Sequence, residues 1–440
     1  MNKTGFFKEF AKYSSLNVMG MIGLSCYILA DTFFVSKGLG TSGLAALNLA
    51  IPVYSFIHGT GLMLGMGAGT KYSIFKSQNN NSLANRTFTN AVMLAAGFAT
   101  FFVLIGIFFS GSIISVFGAD ETVFDMANTY LKVILLFAPA FLLNNVLICF
   151  VRNDGAPQLA MAAMIVGSLS NILLDWVFIF PCKMGIFGAV FATGLAPIIS
   201  MLILSVHFIK KKNQFHLEKC KPSLSLFIKI MSCGVPSLVT EVSSGIVMIV
   251  FNSIILNLQG NVGIAAYGII ANLSLVVIAV YNGIAQGIQP ILSKSHGIND
   301  TLKIKCTLRY ALITMLALSA VIYAVVLFGA SQITSIFNSD NNNLLQSIAE
   351  NGLRLYFTAC PFAGFNIIIS MYFTSTENPA PAHIISLLRG FIVIIPASVL
   401  LSKLANMNGV WCAFPLTEFT VMIIILIYNI IKNKACKPQE

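Results

Sequence analysis

Apolar residues in this chain come in long runs rather than in alternation. Stretches of roughly 20 residues with almost no charge recur along its whole length, each enough to cross ~30 Å of hydrocarbon as a helix. The runs predict helices at about 13–35, 44–72, 88–110, 124–150, 158–180 and 186–209, and again at about 227–256, 262–293, 309–331, 346–374, 380–402 and 408–431. The longest exceed the bilayer and must tilt or project from it. Polar interruptions are short: Ser77–Asn85, the basic stretch Lys210–Lys221, and Ser339–Asn343. The expected fold is an all-α membrane protein of twelve transmembrane helices. The first segment is expected to remain as an anchor rather than be cleaved as a signal peptide.

Composition agrees with that pattern. Of 440 residues, 57% are apolar and 9% charged, and the mean hydropathy is +0.85. A soluble domain carries about 25% charged residues, so this chain cannot cover a globule with polar surface. The formal charge of +11 raises a nucleic-acid reading, which the placement of the charges rejects. With the N-terminus in the cytoplasm, the inner loops and tails hold 19 of the 26 Lys and Arg, and the outer loops hold Lys37, Lys183 and Lys403. This positive-inside bias predicts a plasma (inner) membrane protein with both termini cytoplasmic. Nine cysteines show neither paired nor metal-ligand spacing and read as small core residues.

The chain repeats itself. Gly40-Thr-Ser-Gly-Leu-Ala-Ala46 returns as Gly260-Asn-Val-Gly-Ile-Ala-Ala266, and Ile113-Ile-Ser-Val-Phe117 with Asp120 returns as Ile333-Thr-Ser-Ile-Phe337 with Asp340, both shifted by 220. Pro157 matches Pro381, and Gly185–Thr193 matches Gly409–Thr417, both shifted by 224. Six helices per repeat is an even number, so the halves share one orientation and a pseudo-two-fold axis along the membrane normal. The expected division is an N-lobe over 1–209, a cytoplasmic basic linker over 210–226 and a C-lobe over 227–440. Two such lobes around a midplane cavity suit rocking, alternating access.

A charge within hydrocarbon is costly and points to function. Asp31 falls near the outer end of helix 1 and Asp175 near that of helix 5, with Asn171 one turn away on the same face. Thr193 lies in helix 6. Asp31, Asp175 and Thr193 all fall on the order of 7–10 Å below the outer boundary. Two carboxylates, an amide and a hydroxyl offer hard oxygens to sodium, and two close carboxylates can share a proton. The plainer reading is that the acids cap helices or accept local hydrogen bonds. Glu241, near the middle of helix 7, could attract cationic substrates or bond a hydroxyl such as Ser244. Gln286 and Gln289 could line a cavity or tie down backbone freed by Pro290. Tyr54 and His58 are cavity candidates against a packing role, and Glu418 and Arg389, both near midplane, are expected to pair.

At these residues the chain resembles the multidrug and toxic compound extrusion (MATE) transporters. The resemblance rests on Asp31-Thr32-Phe33-Phe34-Val35 with Gly40 and Ala45-Ala46, on Arg152-Asn-Asp-Gly-Ala-Pro157, and on Asn171-x-x-x-Asp175. Gly185-x-x-Gly188-Ala189, Ala192-Thr193-Gly194 and Gln286-Gly-Ile-Gln289-Pro290 continue it. It implies that Asp31, Asn171, Asp175 and Thr193 form the N-lobe cation site, with Na+ a candidate occupant. Gly20 and Gly23 stand where many relatives carry a proline, and helix 10 has no carboxylate in its apolar body. That argues against a complete C-lobe cation site.

The expected function is secondary active export of organic, often cationic, compounds in exchange for H+ or Na+. No catalytic residues and no cofactor are expected. Small organic molecules and membrane lipid are the expected partners, with no nucleic acid, and the chain is expected to work as a monomer. The rivals are a lipid-linked oligosaccharide flippase of the same superfamily, which predicts about fourteen helices and a strongly cationic cavity, and a non-transporting channel or receptor. An enzyme would need a nucleophile–base set or metal cluster that the sequence lacks.

Overall fold

The computed structural model describes residues 3–338 and 342–435. Asp340 and most of the predicted Ser339–Asn343 interruption lie outside the described residues. Among the described residues the chain is twelve membrane-length helices, several joined so tightly that two run together with a single break. α1 (3–39) turns into α2 (41–77) at Gly40, with φ 68° and ψ −157°. α7 (224–259) turns into α8 (261–297) at Gly260, with φ 61° and ψ −151°. These two glycines match each other across the repeat. A left-handed residue reverses the helix in one step, and glycine alone adopts it without steric cost. α3 is Asn81–Phe108, continued by Ser110–Val116, and α5 and α6 are Pro157–Ile179 and Gly185–Ile209. α9 is Thr301–Phe337. α11 (379–404) and α12 (407–435) meet at Ala405 and Asn406.

The fourth helix of each half is broken by proline. α4 consists of Glu121–Leu136 and Ala138–Asn153, bent by 47° ahead of Pro139. α10 runs from Asn343 to Ser375, passing through a 3-10 turn at Phe357–Ala359 ahead of Pro361. Proline removes one backbone donor and clashes with the preceding turn, so the break recurs where the residue recurs.

Several helices start earlier than hydropathy predicts, α1 at residue 3 rather than 13 and α3 at 81 rather than 88. The added turns are polar. Asn80 caps α3 by accepting from the Leu83 amide at 3.1 Å, which turns part of the predicted polar loop into helix. A register correction is needed in α11. It begins at Pro379, as α5 begins at Pro157, so Pro379 rather than Pro381 is the structural match. A π-turn at Leu388–Ile392 takes up part of the difference before Thr417 meets its counterpart Thr193.

One hydrophobic core is built from residues of α1 to α6, the other mainly from α7 to α12. The first helix of each half crosses over. Phe10 of α1 packs in the second core, and Ile230 of α7 packs in the first. Glycines let these crossings close to backbone contact. A Cβ on Gly67 of α2 would lie 2.0 Å from the Ile230 carbonyl oxygen, and one on Gly287 of α8 would lie 2.7 Å from the Ser14 Cα. Gly67→Ala should therefore force the halves apart, at an overpacking cost of about 1–3 kcal/mol. A cysteine at Thr70, which is buried, should then be alkylated about tenfold faster. An unchanged rate would mean that these backbones do not touch.

Polar links between the halves gather at the same end. Lys71 pairs with Glu377, and Lys303 with Glu9 at 2.7 Å. Gln78 donates to the Gly297 carbonyl at 3.3 Å. All lie at the end that carries the basic loops.

Candidate cation site and central cavities

The residues singled out in the N-half converge. Asp31 (7% exposed) on α1, Asn171 and Asp175 (both 0%) on α5, and Thr193 (3%) on α6 are all buried. The Asn171 amide sits between its neighbours. In the orientation that satisfies both, its nitrogen donates to Asp175 Oδ2 at 3.1 Å and its oxygen accepts from the Thr193 amide at 3.2 Å. The Thr193 hydroxyl donates to the Ala189 carbonyl at 3.1 Å. One carboxylate oxygen of each acid, Asp31 Oδ1 and Asp175 Oδ1, is buried with no hydrogen-bond partner. Neither acid caps a helix.

An ionised carboxylate buried without donors is expensive, and two together are more so. The cost is relieved by a cation, either a proton on one oxygen or a hard ion held by both acids. The two unpartnered atoms are both carboxylate oxygens, which suit sodium rather than a soft metal. Among the described residues there is no group of three or more His, Cys, Asp or Glu placed to hold a metal ion.

Tyr130 of α4 was not singled out from the sequence. It is buried and lies within electrostatic range of Asp31, Asp175 and Tyr54, with its hydroxyl near Thr193. A tyrosine inside a span must find a partner for its hydroxyl, and that is the signal that could have found it.

Beside the acids lies a cavity of about 70 Å3 whose lining includes Thr193, Tyr27, Tyr54, His58 and Asn145. Tyr27 and Tyr54 share a hydrogen bond at 2.6 Å, and the Tyr54 ring stacks on His58 at 5.9 Å. A second cavity, of about 60 Å3, lies toward the other half and is lined by Glu241, Thr240, Asn282, Met371 and Arg389. Gln286 and Leu62 line both. Ser244 donates to the Glu241 backbone carbonyl at 2.7 Å, not to its carboxylate. Glu241→Gln should reduce export of cationic dyes several-fold more than that of neutral ones. Equal loss for both, at normal expression, would make Glu241 a structural or general coupling residue.

The two glutamines differ. Gln286 accepts from Arg152 Nη1 at 2.9 Å while still facing both cavities. Gln289 is fully buried and lines neither: it accepts from Asn153 at 3.0 Å and donates to Thr70 at 3.1 Å. Its polar atoms are used in joining the halves.

The C-half handles its buried acid differently. Thr417 donates to the Ala413 carbonyl at 2.8 Å, as Thr193 does to that of Ala189. Beside it, Glu418 is 1% exposed and held by Arg389, Nε at 2.8 and 2.9 Å and Nη2 at 2.8 Å. Asn366 adds a donor to Glu418 Oε2 at 2.7 Å. The buried acid of this half thus has a guanidinium of the chain itself as its counter-ion, whereas Asp31 and Asp175 each keep an oxygen without a partner.

The MatE family pattern matches residues 18–177 and 236–400, most of both halves. The chain belongs to the MATE family. It is a multi-pass membrane transporter, not an enzyme. The multidrug export protein MepA of Staphylococcus saprophyticus is 23% identical over 437 residues, covering 98% of this chain and 95% of that one. MepA of Staphylococcus aureus is 23% identical over 438 residues with the same coverage. A crystal structure of MATE in complex with MaL6 matches with a TM-score of 0.91 at 22% identity, over 97% of this chain and 96% of the other. An outward-facing multidrug resistance MATE family transporter of the MOP superfamily matches with a TM-score of 0.90 at 23% identity and the same coverage. The MATE fold, two lobes of six helices, is therefore that of this chain.

Proposed function

We propose that this MATE transporter is a multidrug efflux antiporter that expels organic, often cationic, compounds in exchange for H+ or Na+ by rocking of its two lobes. The N-lobe (1–209) carries the cation site at Asp31, Asn171, Asp175 and Thr193, the C-lobe (227–440) carries Glu241, and 210–226 links them on the cytoplasmic face with both termini. The observation behind this reading is the pair of partnerless carboxylate oxygens on Asp31 and Asp175, buried beside a cavity that Thr193 also lines.

Exchange requires that the ion and the drug favour opposite states, each through its differential affinity. Moving the lobes from 1:99 to 99:1 takes about a 10⁴-fold preference, or about 5.5 kcal/mol. An ion that enters this site removes the repulsion of two buried acids, which is interaction energy of the right kind. The lobe contacts at the basic end correspond to a state closed to the cytoplasm. Cavities of about 60 and 70 Å3 are far below the several hundred Å3 a drug-sized ligand fills, so drug entry requires the lobes to part.

The flippase reading calls for a strongly cationic cavity, whereas the Arg389 guanidinium is spent on Glu418. The MepA relatives are named as multidrug export proteins, which favours drug export here. Cells that express the transporter should accumulate several-fold less ethidium than control cells, and an ionophore that collapses the coupling gradient should restore accumulation. Accumulation unaffected by expression, with the protein in the membrane, would oppose export.

A further inference from the structure

A cavity of about 570 Å3 lies at the basic end, away from the cation site. Four segments wall it: α2 through Phe75, α3 through Arg86 and Asn90, the linker through Lys219, Cys220 and Lys221, and the first turns of α7 through Lys229. The linker that forms one wall is laid down in order. Phe215 is fully buried among Tyr72, Phe88 and Phe150. The Gln214 amide donates to Asp154 at 2.8 Å, Glu218 to Thr89 at 2.9 Å and Ser223 to Asn90 at 2.9 Å.

Four cations face this cavity. Arg86 is partly answered by Glu218 at 3.3 Å, but Lys219, Lys221 and Lys229 have no ion pair among the described residues. Ser223 caps α7, and the free amides of that helix start add positive potential at the same place. Next to the lining residues in the chain, Leu217 of the linker and Leu224 and Ile228 of the first turns of α7 are 68%, 72% and 59% exposed. Cationic side chains beside exposed leucine and isoleucine at the end of membrane helices mark the headgroup level of a bilayer.

We propose that this cavity binds the phosphate-bearing head group of an anionic phospholipid, with its acyl chains against Leu217, Leu224 and Ile228. The lipid would join the linker and α7 to the N-lobe. The exposed apolar side chains beside the basic lining favour a lipid over a free phosphate ester, which has no acyl chain to place on them.

Cys220 reports on the site from inside it. Purified transporter would be alkylated with a maleimide and the rate at Cys220 followed by peptide mass spectrometry, in phosphatidylcholine vesicles with and without phosphatidylglycerol. Phosphatidylglycerol should slow labelling about tenfold. Free glycerol phosphate in phosphatidylcholine vesicles should leave it unchanged. A lysine near an anionic surface contributes about fivefold in affinity, so the variant Lys219→Gln, Lys221→Gln, Lys229→Gln should bind about a hundredfold more weakly and lose the protection. Equal protection by phosphatidylcholine alone, or none by phosphatidylglycerol, would overturn the proposal. Protection by free glycerol phosphate would make this a soluble-phosphate site, and protection retained in the triple variant would remove the basis of the assignment. The wild-type comparison of the two lipids decides the matter even if the variant is poorly made.

Discussion

Asp31→Asn is expected to abolish uphill drug efflux while leaving drug binding nearly intact. The substitution keeps the size of the side chain but removes the charge that, on the proposed function, holds a proton or sodium. Glu241 and Gln286, the proposed drug contacts, line the cavity toward the other lobe, so the drug should still bind with an affinity within about twofold of the wild type. Asp175→Asn should act in the same way. The double variant should be little worse than either single one, because residues that work as a unit are grossly non-additive. Asn171→Ala and Thr193→Ala each delete a neutral group and should weaken ion dependence more gently. Efflux measured in everted vesicles, with equilibrium drug binding on the purified variants, separates these outcomes. If Asp31→Asn protein lost binding and efflux together, Asp31 would be a drug ligand or a folding residue instead.

The second large effect concerns the C-lobe. Arg389→Ala should destabilise the protein by about 3–5 kcal/mol, because it leaves Glu418 buried and uncompensated. In thermal unfolding this corresponds to a loss on the order of 10 °C. Replacing both partners, as in Arg389→Met with Glu418→Leu, should recover most of the loss, since apolar residues of similar volume often substitute for a buried ion pair at little cost. The same double variant should still couple efflux to its ion, because the pair serves the C-lobe as an internal counter-ion. If Arg389→Ala left the melting temperature unchanged and altered the range of drugs exported, Arg389 would be a substrate ligand and the internal counter-ion account would be wrong.

Much of this architecture is legible in the sequence because the membrane constrains it so strongly. Long apolar runs have few alternatives to helices, and the recurrence of Gly40 as Gly260 marks both the duplication and the sharp reversals. Depth in the bilayer, counted along each helix, brings Asp31, Asp175 and Thr193 to one level, and the structure buries all three, with Asp31 within electrostatic range of Asp175. Asp and Asn side chains are rare enough in such spans that each one stands out.

What the sequence hides is contact between distant segments. Phe10 looks like an N-lobe residue but packs in the other core, because the first helix of each half crosses to its neighbour. Gln286 and Gln289 are chemically identical and one helical turn apart, yet one faces the cavities and the other is consumed by Asn153 and Thr70. The α11 register was misjudged through Pro381, since a π-turn leaves no mark that composition can show. Tyr130 escaped notice because tyrosine is common enough in membrane helices to pass as packing.

The central claim is that a cation entering the N-lobe site drives the drug out, and the direct measurement uses purified transporter in proteoliposomes preloaded with a cationic dye. A sodium gradient and a proton gradient are imposed separately, with the membrane potential clamped, and dye movement against its own gradient is followed for wild type and Asp31→Asn. The account predicts that at least one of the two gradients drives uphill dye movement in the wild type and that neither does in Asp31→Asn. Uphill movement at a near-normal rate in Asp31→Asn would contradict it, and coupling would then have to be sought at Glu241.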